Sequence, residues 1–184
     1  MNQPLAAYIE WIELMTFFPG YLIVFALVFL WAGRQGTKGM IRQKIMPLLP
    51  LSYALVATLY WGLILKNWYP GYEMTVIKAS IYHPVIRAWG MLGVMCWIPY
   101  IYKRPFFSLL HSMVFFALLL RDLLLTSLDK TADNSSRNND LKIYGASIAI
   151  NLGALLVIIV LSVIIKRLRK NSQDQPGSAN RIPD

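Results

Sequence analysis

IYGASIAINLGALLVIIVLSVII, residues 143–165, runs from end to end without a charged side chain and is closed by the basic cluster KRLRK at 166–170. A helix needs roughly 20 apolar residues to cross a hydrocarbon core about 30 Å thick. This run reaches that length, is apolar on all sides and lacks the period-two alternation of a barrel strand. It reads as a transmembrane helix, and it contains no proline.

Four further runs of the same kind precede it, at about 12–32, 45–65, 82–102 and 106–128. The whole chain agrees with them. Of 184 residues, 57% are hydrophobic and 15% charged, with a mean hydropathy of +0.48. Soluble domains sit nearer about 45–50% apolar and 25% charged. A small aqueous core cannot bury that surplus, and lipid is the simplest solvent for it. The expected fold is an all-α, polytopic transmembrane bundle of five spans. Residues 1–170 form one membrane domain, and 171–184 a disordered polar tail. The first twelve residues hold no Lys or Arg, so the basic region of a cleavable signal is not visible.

Prolines punctuate the runs. Pro19-Gly20 predicts a kink inside the first span, with an interfacial helix over 5–18 as the competing reading. Pro47 and Pro50 open the second run, Pro84 the third and Pro105 the fourth, all in first turns where a missing N–H matters least. Pro99 predicts a bend at the end of the third. Residues 129–142, DKTADNSSRNNDLK, read as a polar loop.

Charge sets the orientation. Arg34, Lys38, Arg42 and Lys44, then Lys103 and Arg104, then Lys166, Arg167, Arg169, Lys170 and Arg181 fall on one side of a five-span chain. Lys66, Lys78, Lys130, Arg137 and Lys142 fall on the other, with Glu10, Glu13, Glu73, Asp129, Asp133 and Asp140. The positive-inside rule then puts the N-terminus outside and the C-terminus in the cytosol of a cell (inner or plasma) membrane. Removing the third run would set the two largest basic clusters on opposite sides. Trp11, Trp31, Trp68, Tyr69, Tyr72, Tyr82, Tyr100 and Tyr102 lie near the proposed ends, as an interfacial belt requires. The net charge of +9 is thus accounted for without nucleic acid.

Ionisable side chains within a span are costly, and each is a functional candidate. Counting about 1.5 Å per residue, Arg87 lies roughly 7 Å below the outer surface, Arg121 and Asp122 about 9–11 Å and Asn151 about 12 Å, with Glu13 slightly above them. These five form an expected outward-opening polar cluster. Asp122 would pair with Arg87 or Arg121, and Arg87 is the more natural partner because adjacent residues project about 100° apart on a helix. The alternative is an ion pair that merely fixes packing.

Ser108, His111, Phe115, Asp122 and Thr126 share a face expected to look into the bundle. His111, about 9 Å from the cytosolic end, is a proton-relay candidate or a hydrogen-bonded packing residue. His83 lies roughly 20 Å away in depth, so the two histidines do not suit one haem. Gly145, Ala149 and Gly153, at four-residue spacing, permit close approach of another helix. Ser147 and Asn151 occupy a different face and could bond across to a neighbour.

Cys96 is a single cysteine, and no catalytic, metal-ligand or cofactor motif is present. The favoured reading is a non-enzymatic accessory, assembly or immunity-type protein acting through helix–helix contacts. Its partners would be the lipid bilayer and another membrane protein, or a second copy of itself. One alternative is a carrier or binder of a small, anionic solute attracted by Arg87 and Arg121. Another is a lipid-binding or lipid-modifying protein at the outer leaflet.

Overall fold

Pro19 and Gly20 divide the first apolar run into two helices, α1 (Gln3–Phe17) and α2 (Gly20–Arg34). In the computed structural model, which describes residues 3–34, 44–69, 83–128 and 134–173, every regular element is helical. After α2 come a 3-10 turn at Met46–Leu48 leading into α3 (Leu49–Trp68), and α4 (Pro84–Leu92) followed by 3-10 helix at Gly93–Trp97. A short α5 (Pro99–Tyr102), α6 (Pro105–Leu128) and α7 (Asn134–Gln173) complete the chain. Lys38 and Arg42, Tyr72, Glu73, Lys78 and Tyr82, residues 129–133 and the tail from 174 lie outside the described residues.

Four helical stretches have the length and hydropathy to cross a membrane: Ala7–Trp31, Met46–Trp68, Pro105–Leu125 and Leu141–Asn171. The first joins α1 and α2 across the proline break. The third run of the sequence is not one long helix. Gly93 turns α4 into 3-10 geometry, and Ile98 is extended (φ −67°, ψ 127°), as the residue before Pro99 tends to be.

The polar stretch 129–142 is helical from Asn134 onward, so the loop expected there is shorter. Asn and Ser favour helix starts, and the long apolar run behind them propagates the helix outward. At 40 residues, α7 is roughly 60 Å long, about twice the hydrocarbon thickness. It continues through Lys166 to Lys170, all exposed.

The core gathers around the proline break. Phe18 is fully buried, stacks on Phe115 (4.6 Å between centroids) and meets Tyr53, Tyr60 and His111 edge-on. Leu14, Met15, Tyr21, Ala57 and Leu155 close around it. Outside, Leu27, Phe29 and Leu30 on α2, Leu120, Leu124 and Leu128 on α6, and Leu156, Val160 and Ile164 on α7 are exposed. A continuous apolar exterior of that kind suits lipid and not water.

Candidate functional site

A proline break inside hydrocarbon leaves backbone groups without helical partners, and each must be satisfied from elsewhere. Here α6 and α7 supply them. Asn151 Nδ2 donates to the Phe17 carbonyl (2.8 Å), Ser112 Oγ to the Phe18 carbonyl (3.1 Å), and the Gly20 N–H donates to Ser147 Oγ (2.8 Å). Asn151 and Ser147 thus bond across to a neighbour as their shared face suggested. The role of Ser112 was not foreseen. Gly20 is required by the contact itself, since a Cβ there would lie 2.4 Å from the Ser147 backbone carbon.

His111 belongs to a second polar centre. The turn to 3-10 geometry at Gly93 directs its N–H to the Gly90 and Met91 carbonyls. The Trp89 carbonyl is left to accept from His111 Nε2 at 2.6 Å. Nε2 must therefore carry the proton, and in a neutral ring Nδ1 accepts from the Tyr53 hydroxyl. The Trp89 indole stacks on the imidazole (5.2 Å) and returns a hydrogen bond to the His111 carbonyl (3.4 Å). Beside it, Tyr21 bonds to Ser108, which donates to the Pro105 carbonyl. Both ring nitrogens of His111 are held, an arrangement that fixes packing between α3, α4 and α6.

The expected outer cluster is divided into separate contacts. Arg87 Nη1 lies 3.3 Å from Glu10 Oε1, with both side chains only 5% exposed. The guanidinium also sits over the Trp68 ring and beside the buried Tyr60. The ion-pair partner of Arg87 is thus Glu10, where the sequence suggested Asp122. Asp122 accepts instead from Trp11 Nε1 at 2.9 Å. The reason is rotational. Glu10 and Trp11 project in different directions from α1, one toward α4 and the other toward α6. Helical rise fixes depth but not which neighbour a side chain meets.

Arg121 is exposed, pointing away from half-buried Asp122. Glu13 accepts from Asn67 at 3.1 Å. Asn151 lies at the proline break, apart from these contacts. Ser108, His111 and Phe115 are buried on the inner face of α6 as expected, with Ser112 and Leu119. The Thr126 side chain is outside the described residues.

A cavity of about 370 Å³ opens between α1, α6 and α7 at the same end of the bundle. Tyr8, Trp11 and Met15, then Leu119 and Asp122, then Tyr144 are among its lining residues. Tyr144 donates to the Leu119 carbonyl (3.0 Å), which holds its ring against α6. Tyr8 and Leu125, both more than half exposed, lie at the mouth. Among the described lining residues Asp122 is the ionisable group other than the tyrosines. Among the described residues, no arginine lines this cavity, and that includes Arg87 and Arg121.

Gly145, Ala149 and Gly153 are exposed along α7. A Cβ at either glycine would meet nothing within 4 Å among the described residues. The packing of α7 inside the bundle uses Ser147, Asn151, Ala154 and Ile158 instead. Among the described residues no group of three His, Cys, Asp or Glu side chains is placed to hold a metal ion. No protein-family model, curated protein or solved structure matches this chain.

Proposed function

We propose that this is a five-span cell-membrane protein, N-terminus outside and C-terminus cytosolic, that acts without catalysis by binding another membrane helix. The observation carrying this reading is the small-residue stripe Gly145, Ala149 and Gly153, exposed on the longest helix while the chain's own packing uses another face of it. Small residues at four-residue spacing let two helix backbones approach closely, and van der Waals contact then drives association in lipid. The partner is a second copy or another membrane protein, as an accessory, assembly or immunity-type role requires.

The fifth span is supported by length. Residues 84–102 combine α and 3-10 rises of about 1.5 and 2.0 Å per residue, which together reach roughly 30 Å. The alternation of basic clusters supports the same count.

Photo-crosslinking in native membranes from the exposed flanking positions Leu152 and Leu156 tests the contact. One discrete crosslinked product is expected, lost in Gly145→Ile and Gly153→Ile variants whose melting temperature is unchanged. A product that persists in both variants would sink the proposal.

The cavity between α1, α6 and α7 favours a second reading, a pocket for a small solute opening toward the outer leaflet. Its volume falls within the range of about 300–1,000 Å³ usual for ligand pockets.

A further inference from the structure

We propose that the basic end of α7 seats the phosphate of an acidic phospholipid, whose acyl chain lies along the same strip of the helix. The site rests on the reading of these helices as membrane-spanning. It is independent of the partner helix read for Gly145 and Gly153.

Three segments of the chain bring bases to one level. Contacts from Trp11 to Asp122, Glu13 to Asn67 and Tyr144 to Leu119 mark one end of the bundle. Lys44, Arg104 and Lys166 lie about 26–35 Å of helical rise from that end, close to the hydrocarbon thickness. All three are exposed. The turn after Lys44, Met46–Leu48, packs against α7. The chain cannot neutralise this end by itself. The stretches 33–48, 98–108 and 159–184 hold eleven Lys and Arg side chains but only two carboxylic ones, Asp174 and Asp184.

On α7 the charges are sorted by face. Lys166, Arg169 and Lys170 fall within one arc of roughly 100°, with Leu168 on the opposite side. Side chains three and four apart stand about 5–6 Å from each other, so these cations repel. A phosphate shared among them relieves that repulsion, and Arg169 can meet it with two parallel hydrogen bonds. Lys170, Val163 and Leu156 recur every seven residues, a strip that leads from the charges down the outer wall of α7. Val163 and Leu156 are exposed. A phosphate in solution would use the basic arc alone, whereas a phospholipid uses arc and strip together. A zwitterionic lipid brings its own cation to the arc and gains less.

The test uses the full chain in maltoside micelles and native mass spectrometry. The probes are dioleoyl phosphatidylglycerol and dioleoyl phosphatidylcholine. Phosphatidylglycerol is expected to bind at least about tenfold more tightly, since each base near a charged head group contributes roughly fivefold. Arg169→Gln should weaken it roughly fivefold, and Arg167→Gln, outside the arc, less than about twofold. Lys166→Gln, Arg169→Gln and Lys170→Gln combined should bring the two lipids within about twofold of each other. All variants are compared at matched melting temperature. Lys44→Gln, which lies off α7, carries the test if the combined variant does not fold, with a loss of about two- to fivefold. Gly145→Ile should keep the full preference.

Equal affinity for the two lipids, or equal losses in Arg167→Gln and Arg169→Gln, would overturn the site. Loss of preference in Gly145→Ile would move the lipid to the small-residue stripe and overturn it too. Displacement of the lipid by inorganic phosphate would assign the arc to a free anion, and displacement by polyglutamate to an acidic protein. Either result removes the phospholipid. A chain stripped from native membranes by alkaline carbonate does not span them, and then the lipid site and the membrane-spanning reading fall together.

Discussion

Glu10 and Arg87 form an ion pair with almost no access to solvent, and such pairs are costly to break from one side. Arg87→Leu removes the guanidinium that faces the buried Glu10 carboxylate, and a loss of about 3–5 kcal/mol is expected. Replacing both residues, as Glu10→Leu with Arg87→Met, should recover most of it. Unfolding in mixed micelles measures both, and a single variant as stable as the parent would show the pair to be dispensable. Two glycines give a sharper contrast. Gly20→Ala drives a Cβ into the Ser147 backbone and should cost about 1–3 kcal/mol. Gly62→Ala, with open space around it in mid-helix, should be neutral or stabilising by up to about 1 kcal/mol. The sequence identified Arg87 and Asp122 as residues that must be satisfied. It did not pair them correctly, because Glu10 reads as a flanking acid until the rotation of α1 is known. Phe18 gave no signal at all, being one aromatic among many in an apolar run.

At the scale of elements, the break between α1 and α2 is stabilised from a distance by Ser112, Ser147 and Asn151. Asn151→Leu keeps volume but leaves the Phe17 carbonyl without its donor in an apolar interior. A loss of about 1–3 kcal/mol is expected. Asn151→Gln offers a poor substitute, because its amide is displaced by a methylene. Calorimetry on the two variants checks the order, and equal stability would mean that the break is satisfied in some other way. The kink was legible from Pro19-Gly20, and so was the cross-bonding face of Ser147 and Asn151, because both follow from local chemistry and helical period. The inward stripe of α6 followed from the same period. Two features were not legible. The α to 3-10 switch falls at Gly93, where a Cβ would lie 2.9 Å from Ala57 Cβ, a contact visible only in the assembled bundle. The helical start at Asn134 lies in a polar stretch whose composition suits a loop or a solvated helix equally well.

For the whole molecule, orientation is the property most readily tested. In a Cys96→Ala background, single cysteines at Gly36 and Ser178 should react with impermeant maleimide only after the cytosolic side is opened. A cysteine at Thr131 should react from outside. Labelling of Gly36 and Ser178 from opposite sides would overturn the five-span topology. Lipid as solvent, and helices as the elements, were plain from composition and run length. Which face of α7 the chain keeps for itself was not, since Gly145 and Ser147 lie on the same apolar run and only the assembled bundle distinguishes them.

The proline break sits near the beginning of the chain, yet two of the side chains that complete it lie 127 and 134 residues further on. During synthesis α1 and α2 are made before α7, so the Gly20 N–H and the Phe17 carbonyl gain these two partners only once α7 is present. Maturation is then expected to depend on α7. A nascent chain released after Leu128 should be a quality-control substrate in a pulse-chase experiment, and supplying α7 as a separate polypeptide should lengthen its lifetime.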